Sequence, residues 1–136
     1  IDSAKQHYMN ADVDADIKAF IDDMSAAYAW ADLVICRAGA MTVFELAAAG
    51  AASVLVPYPY AVDDHQTANA EYLRASGAAI IRQQDELSAD WVASTLETFS
   101  RDRGQLRDMA IAARKLAIPD SARVIAETCM RAGGLA

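Results

Sequence analysis

The stretch from Leu33 to Asn69, LVICRAGAMTVFELAAAGAASVLVPYPYAVDDHQTAN, limits this chain more than any other part of it. Leu33 to Cys36 is a continuous apolar run, as a strand covered on both faces requires. Met41 to Ala49 is predicted to be a helix, with Gly50 at the position where a left-handed residue closes one. Ala52 to Pro57 supplies the next strand. Strands separated by a helix of this length are expected to be parallel neighbours joined by a right-handed crossover. Between Leu33 and Pro57 only Arg37 and Glu45 are charged. Charges are rare in so apolar a stretch unless they meet a partner or a ligand. Glu45 is expected in the first turn of the helix, just after Gly39. That helix is apolar nearly all round, which predicts burial between the sheet and another element.

The same punctuation continues on both sides. Residues 2–9 read as the tail of a helix and Asn10 to Asp16 as a loop. Ile17 to Ile21 is predicted to be a further strand. Asp22 or Asp23 then offers an N-cap oxygen to a helix carrying Met24, Ala27, Tyr28 and Ala31 on one apolar stripe. Past Pro57, Tyr58 to Asp64 is a loop, and Asp63 or Asp64 caps a helix from His65 to Ser76 that Gly77 ends. Ala78 to Arg82 is a fourth strand. Leu87 and Val92 flank Ser88 as a hydrophobic staple around an N-cap. Helices follow at about 89–100, 104–116 and 120–132, the last capped by Asp120 after Pro119. The order β-α-β-α-β-α-β-α-α-α is that of an α/β domain with a parallel, Rossmann-like sheet.

Composition bounds what such a domain can do. The chain has 136 residues, 54% of them apolar, enough for one domain with a real core, or for one half of a two-domain chain. A net charge of −7 argues against general binding to nucleic acid and gives no attraction to anionic lipid. It leaves room for a small anion, because helix termini act locally. Cys36 and Cys129 are far apart, with no metal-ligand spacing around either, and fit a reducing cytoplasm. No segment is apolar enough for a spanning helix.

Ligands of parallel sheets bind beyond the carboxyl ends of the strands. There the turn Arg37 to Thr42 brings Gly39, which permits positive φ or close backbone approach, and the free N–H groups of Ala40, Met41 and Thr42. A diphosphate is the natural guest for such a helix start; a plain strand-to-helix turn capped by Thr42 is the simpler use. Glu45 follows Thr42 by three residues, the spacing of a capping box. Its carboxylate therefore either folds back to a backbone N–H, pairs with Arg37, or accepts from a cis-diol such as ribose. Gln66 and Asn69 share one face at the start of the next helix, where paired amides suit sugar hydroxyls or merely solvate a helix end. His65 beside them is a candidate acid or base, or a surface cap. Phe20, Ile21 and Met24 flank a strand end, as core or as an apolar clamp on a planar base. No motif for covalent catalysis or for a bound metal or cofactor is present.

Taken together, FIDDM (20–24), ADLVICRAGAMTVFELAAAG (31–50), VPYP (56–59) and DHQTANA (64–70) resemble the MurG family. These are bacterial transferases that add N-acetylglucosamine to lipid-linked muramoyl-pentapeptide in peptidoglycan synthesis. The resemblance runs from about Ala19 to Ala132. It implies the C-terminal, nucleotide-sugar-binding half of a two-domain GT-B fold, lacking the N-terminal acceptor half and truncated at one sheet edge. It further implies that the Ile21 backbone reads uracil with Phe20 and Met24 beside it. Ala40, Met41 and Thr42 would face the diphosphate, Glu45 the ribose hydroxyls, and Gln66, His65 and Asn69 the donor sugar. The Gly-rich loop that opens this half in the family has no counterpart here, and Met41 stands where Leu is commoner. The implied donor is UDP-GlcNAc, the implied setting the cytoplasmic face of the inner membrane, and the lipid-linked acceptor would be held by the absent half. The 136 residues alone are expected to be catalytically inactive and to make no membrane contact, with an exposed sheet edge open to dimerisation. The other uses left open are a different GT-B enzyme of UDP-sugars (an epimerase or a glycolipid galactosyltransferase) and a non-enzymatic α/β interaction domain.

Overall fold

The computed structural model describes residues 1–134. The chain runs α1 (Asp2–Asn10), α2 (Met24–Trp30), β1 (Val34–Cys36), α3 (Ala40–Ala49), β2 (Ser53–Leu55), α4 (His65–Arg74), β3 (Ala79–Ile81), α5 (Ala89–Arg101), α6 (Arg103–Lys115) and α7 (Ser121–Ala132). The strands form one parallel sheet in the order β1-β2-β3, with Ile35, Val54 and Ile80 level across it. The predicted α/β class and parallel sheet are therefore what the chain adopts.

Side chains alternate across the strands and so build two cores. On one face Val34, Cys36, Leu55 and Ile81 pack with Val43, Leu46 and Ala47 of α3, Leu73 of α4 and Ala113 of α6. On the other, Leu33, Ala52 and Ile80 meet Phe99 of α5 and Leu106 and Met109 of α6. That second face is covered under β2 but bare under β1: Val54 is fully buried, whereas Ile35 beside it is 42% exposed. Gly50 closes α3 with φ of 69°, and a Cβ there would stand 3.2 Å from the Cβ of Arg114. Conformation and crowding both call for glycine at that position.

Five expectations are corrected. Ile17 to Ile21 forms no strand, and Phe20 is 76% exposed. A strand exists only by pairing, and no described strand lies on that side of β1. The predicted four-stranded order becomes three strands preceded by two helices. Helix α3 is not buried all round: Val43, Leu46 and Ala47 are inside, but Met41 and Phe44 are 74% and 50% exposed. Its neighbours α2, α4 and α6 leave the outer face open. Asp120 stands at the N-cap of α7 without capping it, because its carboxylate pairs with Arg123 at 3.1 Å. Asp64 likewise opens α4, but its side chain accepts from the Thr67 hydroxyl at 2.7 Å rather than from a backbone N–H. By contrast Asp23 and Ser88 do cap, accepting from the N–H groups of Ala26 and Trp91. Among the described residues no helix is long and apolar enough to cross a membrane.

Candidate functional site

The carboxyl ends of β1 and β2 meet the starts of α3 and α4, so one end of the sheet gathers the candidate residues. Gly39 is the N-cap of α3, with φ of −63° and ψ of 148°. This is ordinary extended backbone, so the positive φ that the sequence allowed is not used. A Cβ at Gly39 would stand 3.6 Å from Thr42 Oγ1, an ordinary contact. Among the described residues nothing demands glycine here; its effect is to keep the mouth of the helix uncovered. The first helical bond runs from Val43 N–H to the Gly39 carbonyl at 3.0 Å. Ala40, Met41 and Thr42 therefore hold the N–H groups that the helix itself leaves over, at its positive end.

Because Gly39 is the N-cap, Thr42 falls inside the first turn and caps nothing, and Glu45 lies in the second turn rather than the first. The capping-box use of Glu45 is thereby removed. Pairing with Arg37 fails too. The Arg37 guanidinium donates to the carbonyls of Val56 at 3.3 Å and Pro57 at 3.1 Å, and to Gln84 Oε1 at 2.5 Å. It also lies 5.5 Å over the ring of Tyr58. Arg37 thus ties the ends of β1 and β2 to the turn after β3. The exposed Glu45 carboxylate takes instead a hydrogen bond on Oε2 from the Tyr28 hydroxyl at 3.1 Å, which leaves Oε1 as a second acceptor.

Gln66 and Asn69 face the same place, as their spacing required, but with a task the sequence did not disclose. Gln66 Oε1 accepts from Ala38 N–H at 3.2 Å and from Tyr58 N–H at 3.0 Å, and Asn69 Nδ2 donates to the Ala38 carbonyl at 3.1 Å. The two amides bolt the β1 turn and the β2 loop to α4. Each amide keeps its other polar atom, Nε2 or Oδ1, for a further partner. His65 is the exposed first residue of α4. Just before it, Asp63 and Asp64 hold left-handed backbone with φ of 53° and 50°. Two successive left-handed residues that are not glycine store strain of about 1 kcal/mol or more each, the kind that gathers at ligand sites.

Phe20, Ile21 and Met24 lie before α3 and α4 in the chain. With Trp30, Leu33 and Ile35 they line a cleft of about 800 Å³ beside β1. Tyr28 belongs to both places: it lines that cleft and hydrogen-bonds Glu45. In the sequence Tyr28 is one member of an apolar stripe, and its hydroxyl is the sole signal of a polar role. Burial, and then the hydrogen bond and charge of Glu45, push the Tyr28 phenol up to about 12. Burial alone raises the Cys36 thiol to about 11, so it stays protonated near neutrality and is no nucleophile. Among the described residues no group of His, Cys, Asp and Glu side chains could hold a metal ion.

A parallel α/β sheet that collects polar groups beyond its strand tips defines a Rossmann-like ligand-binding domain. Within that class, the chain belongs to the glycosyltransferase family 28 C-terminal domains, whose family model matches residues 2–125. It is 57% identical over 134 residues to a UDP-N-acetylglucosamine–N-acetylmuramyl-(pentapeptide) pyrophosphoryl-undecaprenol N-acetylglucosamine transferase of Cupriavidus metallidurans, a match that covers 98% of this chain and 37% of that protein. A transferase of the same name from Nitrosospira multiformis is 53% identical, with 96% and 36% covered. The crystal structure of Acinetobacter baumannii MurG superposes with a TM-score of 0.87 at 42% identity, covering 96% of this chain and 38% of that one. The chain thus spans a little over a third of its relatives' length, 37% in the first case. The MurG resemblance and the GT-B type of fold drawn from the motifs agree with these matches.

Proposed function

We propose that this chain is the UDP-GlcNAc-binding part of an inverting glycosyltransferase of peptidoglycan synthesis. Residues 1–136 make up part of its C-terminal domain, with the acceptor bound by a separate N-terminal domain. In the reaction an acceptor sugar hydroxyl oxygen bonds to the anomeric carbon of the donor. The bond from that carbon to the UDP oxygen breaks, and the hydroxyl proton passes to a base outside these residues. The N–H groups of Ala40, Met41 and Thr42 stabilise the charge that develops on the leaving diphosphate. Glu45 holds the ribose hydroxyls, and Gln66, His65 and Asn69 orient the sugar. Phe20, Ile21 and Met24 receive the uracil. The acceptor is the undecaprenyl-diphosphate-linked muramoyl-pentapeptide, met at the cytoplasmic face of the inner membrane. The 136 residues alone bind UDP weakly and transfer nothing.

The observation that carries this reading is the pairing of an uncovered helix start with a carboxylate that neither Arg37 nor a capping box consumes. A titration of the chain with UDP, followed by amide chemical shifts, tests it. Shifts are expected to cluster at residues 20–24, 38–45 and 64–69. Scattered or absent shifts at saturating UDP would favour an interaction domain without a nucleotide ligand. Retained selectivity for UDP-GlcNAc over UDP-galactose would separate the reading from that of a galactosyltransferase.

The free edge of β1 carries a second proposal. Val34 N–H and the Cys36 carbonyl bond toward β2, so the alternation leaves the backbone groups of Ile35 facing outward beside an apolar cleft. An unpaired edge of this kind recruits another strand. Sedimentation is expected to show the 136-residue chain dimerising as its concentration rises, and a monomer at every concentration would refute the edge contact.

A further inference from the structure

We propose that Tyr28 is a positioning residue for Glu45, fixing its carboxylate so that Oε1 meets the ribose diol of a uridine nucleotide; this rests on the reading of Glu45 given above. The geometry supplies each link. Asp23 caps α2 through Ala26 N–H at 2.8 Å and so sets the helix immediately after Ile21. Tyr28, one turn further on, lays its ring against the core beneath α3. Its hydroxyl then reaches Glu45 Oε2 at 3.1 Å across seventeen residues of sequence. An exposed glutamate on a helix samples several rotamers, and choosing one at the moment of binding costs entropy. A phenol held by the core removes much of that cost beforehand and occupies only one of the two carboxylate oxygens. The same ring lines the cleft that contains Phe20, Ile21 and Met24. Tyr28 therefore lines the cleft of the candidate base clamp and hydrogen-bonds the candidate ribose acceptor.

The test compares UDP with 2′,3′-dideoxy-UDP on the full chain and on Tyr28→Phe, Glu45→Gln and the double variant. Tyr28→Phe keeps the ring and its packing and removes only the hydroxyl. It is expected to weaken UDP about fivefold, the usual worth of one hydrogen bond, and to leave dideoxy-UDP unchanged. In the double variant the loss should equal that of Glu45→Gln alone, because both changes remove one interaction. Wild-type affinity in Tyr28→Phe, or equal weakening of both nucleotides, would overturn the proposal while leaving the role of Glu45 standing. If Glu45→Gln itself fails to distinguish the two nucleotides, the ribose reading is what fails. Should Tyr28→Phe not fold, the wild-type chain still decides: the Tyr28 ring-carbon resonance next to the hydroxyl should move further with UDP than with dideoxy-UDP, each at saturation. Equal movement with both, or none with either, counts against the proposal.

Discussion

Glu45→Ala is expected to fold as the parent chain does and to bind UDP about 30-fold more weakly, a loss of about 2 kcal/mol, the scale of hydrogen bonds to a charged group. The two halves of this expectation have separate causes. Glu45 sits on the open side of α3, and the internal bond the structure gives it comes from the Tyr28 hydroxyl. Removing an exposed side chain from a helix and putting alanine there leaves stability within about 0.5 kcal/mol. The affinity loss arises because a ribose diol would have both its hydroxyls donating to this one carboxylate. Arg37 cannot compensate, since a guanidinium offers donors only and this one already bonds Val56, Pro57 and Gln84. A thermal melt and a UDP titration on the same sample check both parts. An unaltered affinity would remove the ribose from the proposed site, and a collapsed melt would show that Glu45 serves the fold instead.

The parts of this molecule that were legible in its sequence are those decided by near neighbours along the chain. Gly50 announced the end of α3 because only a few positions around it determine a left-handed stop. Ser88 and Asp23 announced their helices in the same way, and the apolar runs at Leu33 and Ala52 announced strands buried in a parallel sheet. What could not be read depended on partners elsewhere. Ile17 to Ile21 has the composition of a strand, but strand formation is settled by a neighbour, and none is at hand. The fate of Glu45 turned on one local fact and one distant one. Helix α3 starts at Ala40, which moves Thr42 out of the cap, and Gln84, far along the chain, takes the Arg37 guanidinium. The resemblance to a known family assigned Gln66 and Asn69 to a donor sugar. It could not say that Gln66 and Asn69 also hold the backbone together, because hydrogen bonds to Ala38 and Tyr58 leave no trace in residue type.

That dual duty makes Gln66→Ala the most damaging single change expected at the site, costing about 2 kcal/mol of stability within the range for a buried donor left unmet. Gln66 Oε1 is the acceptor for two N–H groups, and the two are not equivalent. Ala38 is fully buried, so its N–H finds no water once the amide is gone; Tyr58 is 45% exposed, and its N–H can be rewetted. Most of the cost therefore falls on the turn that leads β1 into α3, the turn that aims the Ala40 to Thr42 amides. UDP-induced shifts at those three residues should shrink along with the stability. Gln66→Glu keeps an acceptor at the same reach and should recover most of the lost stability, although its added charge near a diphosphate will not restore affinity. Urea unfolding of the three proteins, read beside their UDP titrations, separates the effects. If Gln66→Ala unfolds at the parent's urea midpoint while its UDP binding falls, the amide touches ligand alone and the bolt between α4 and the two strand ends carries no weight. If stability and amide shifts fall together and Gln66→Glu rescues only the former, one side chain both builds the helix mouth and faces what enters it.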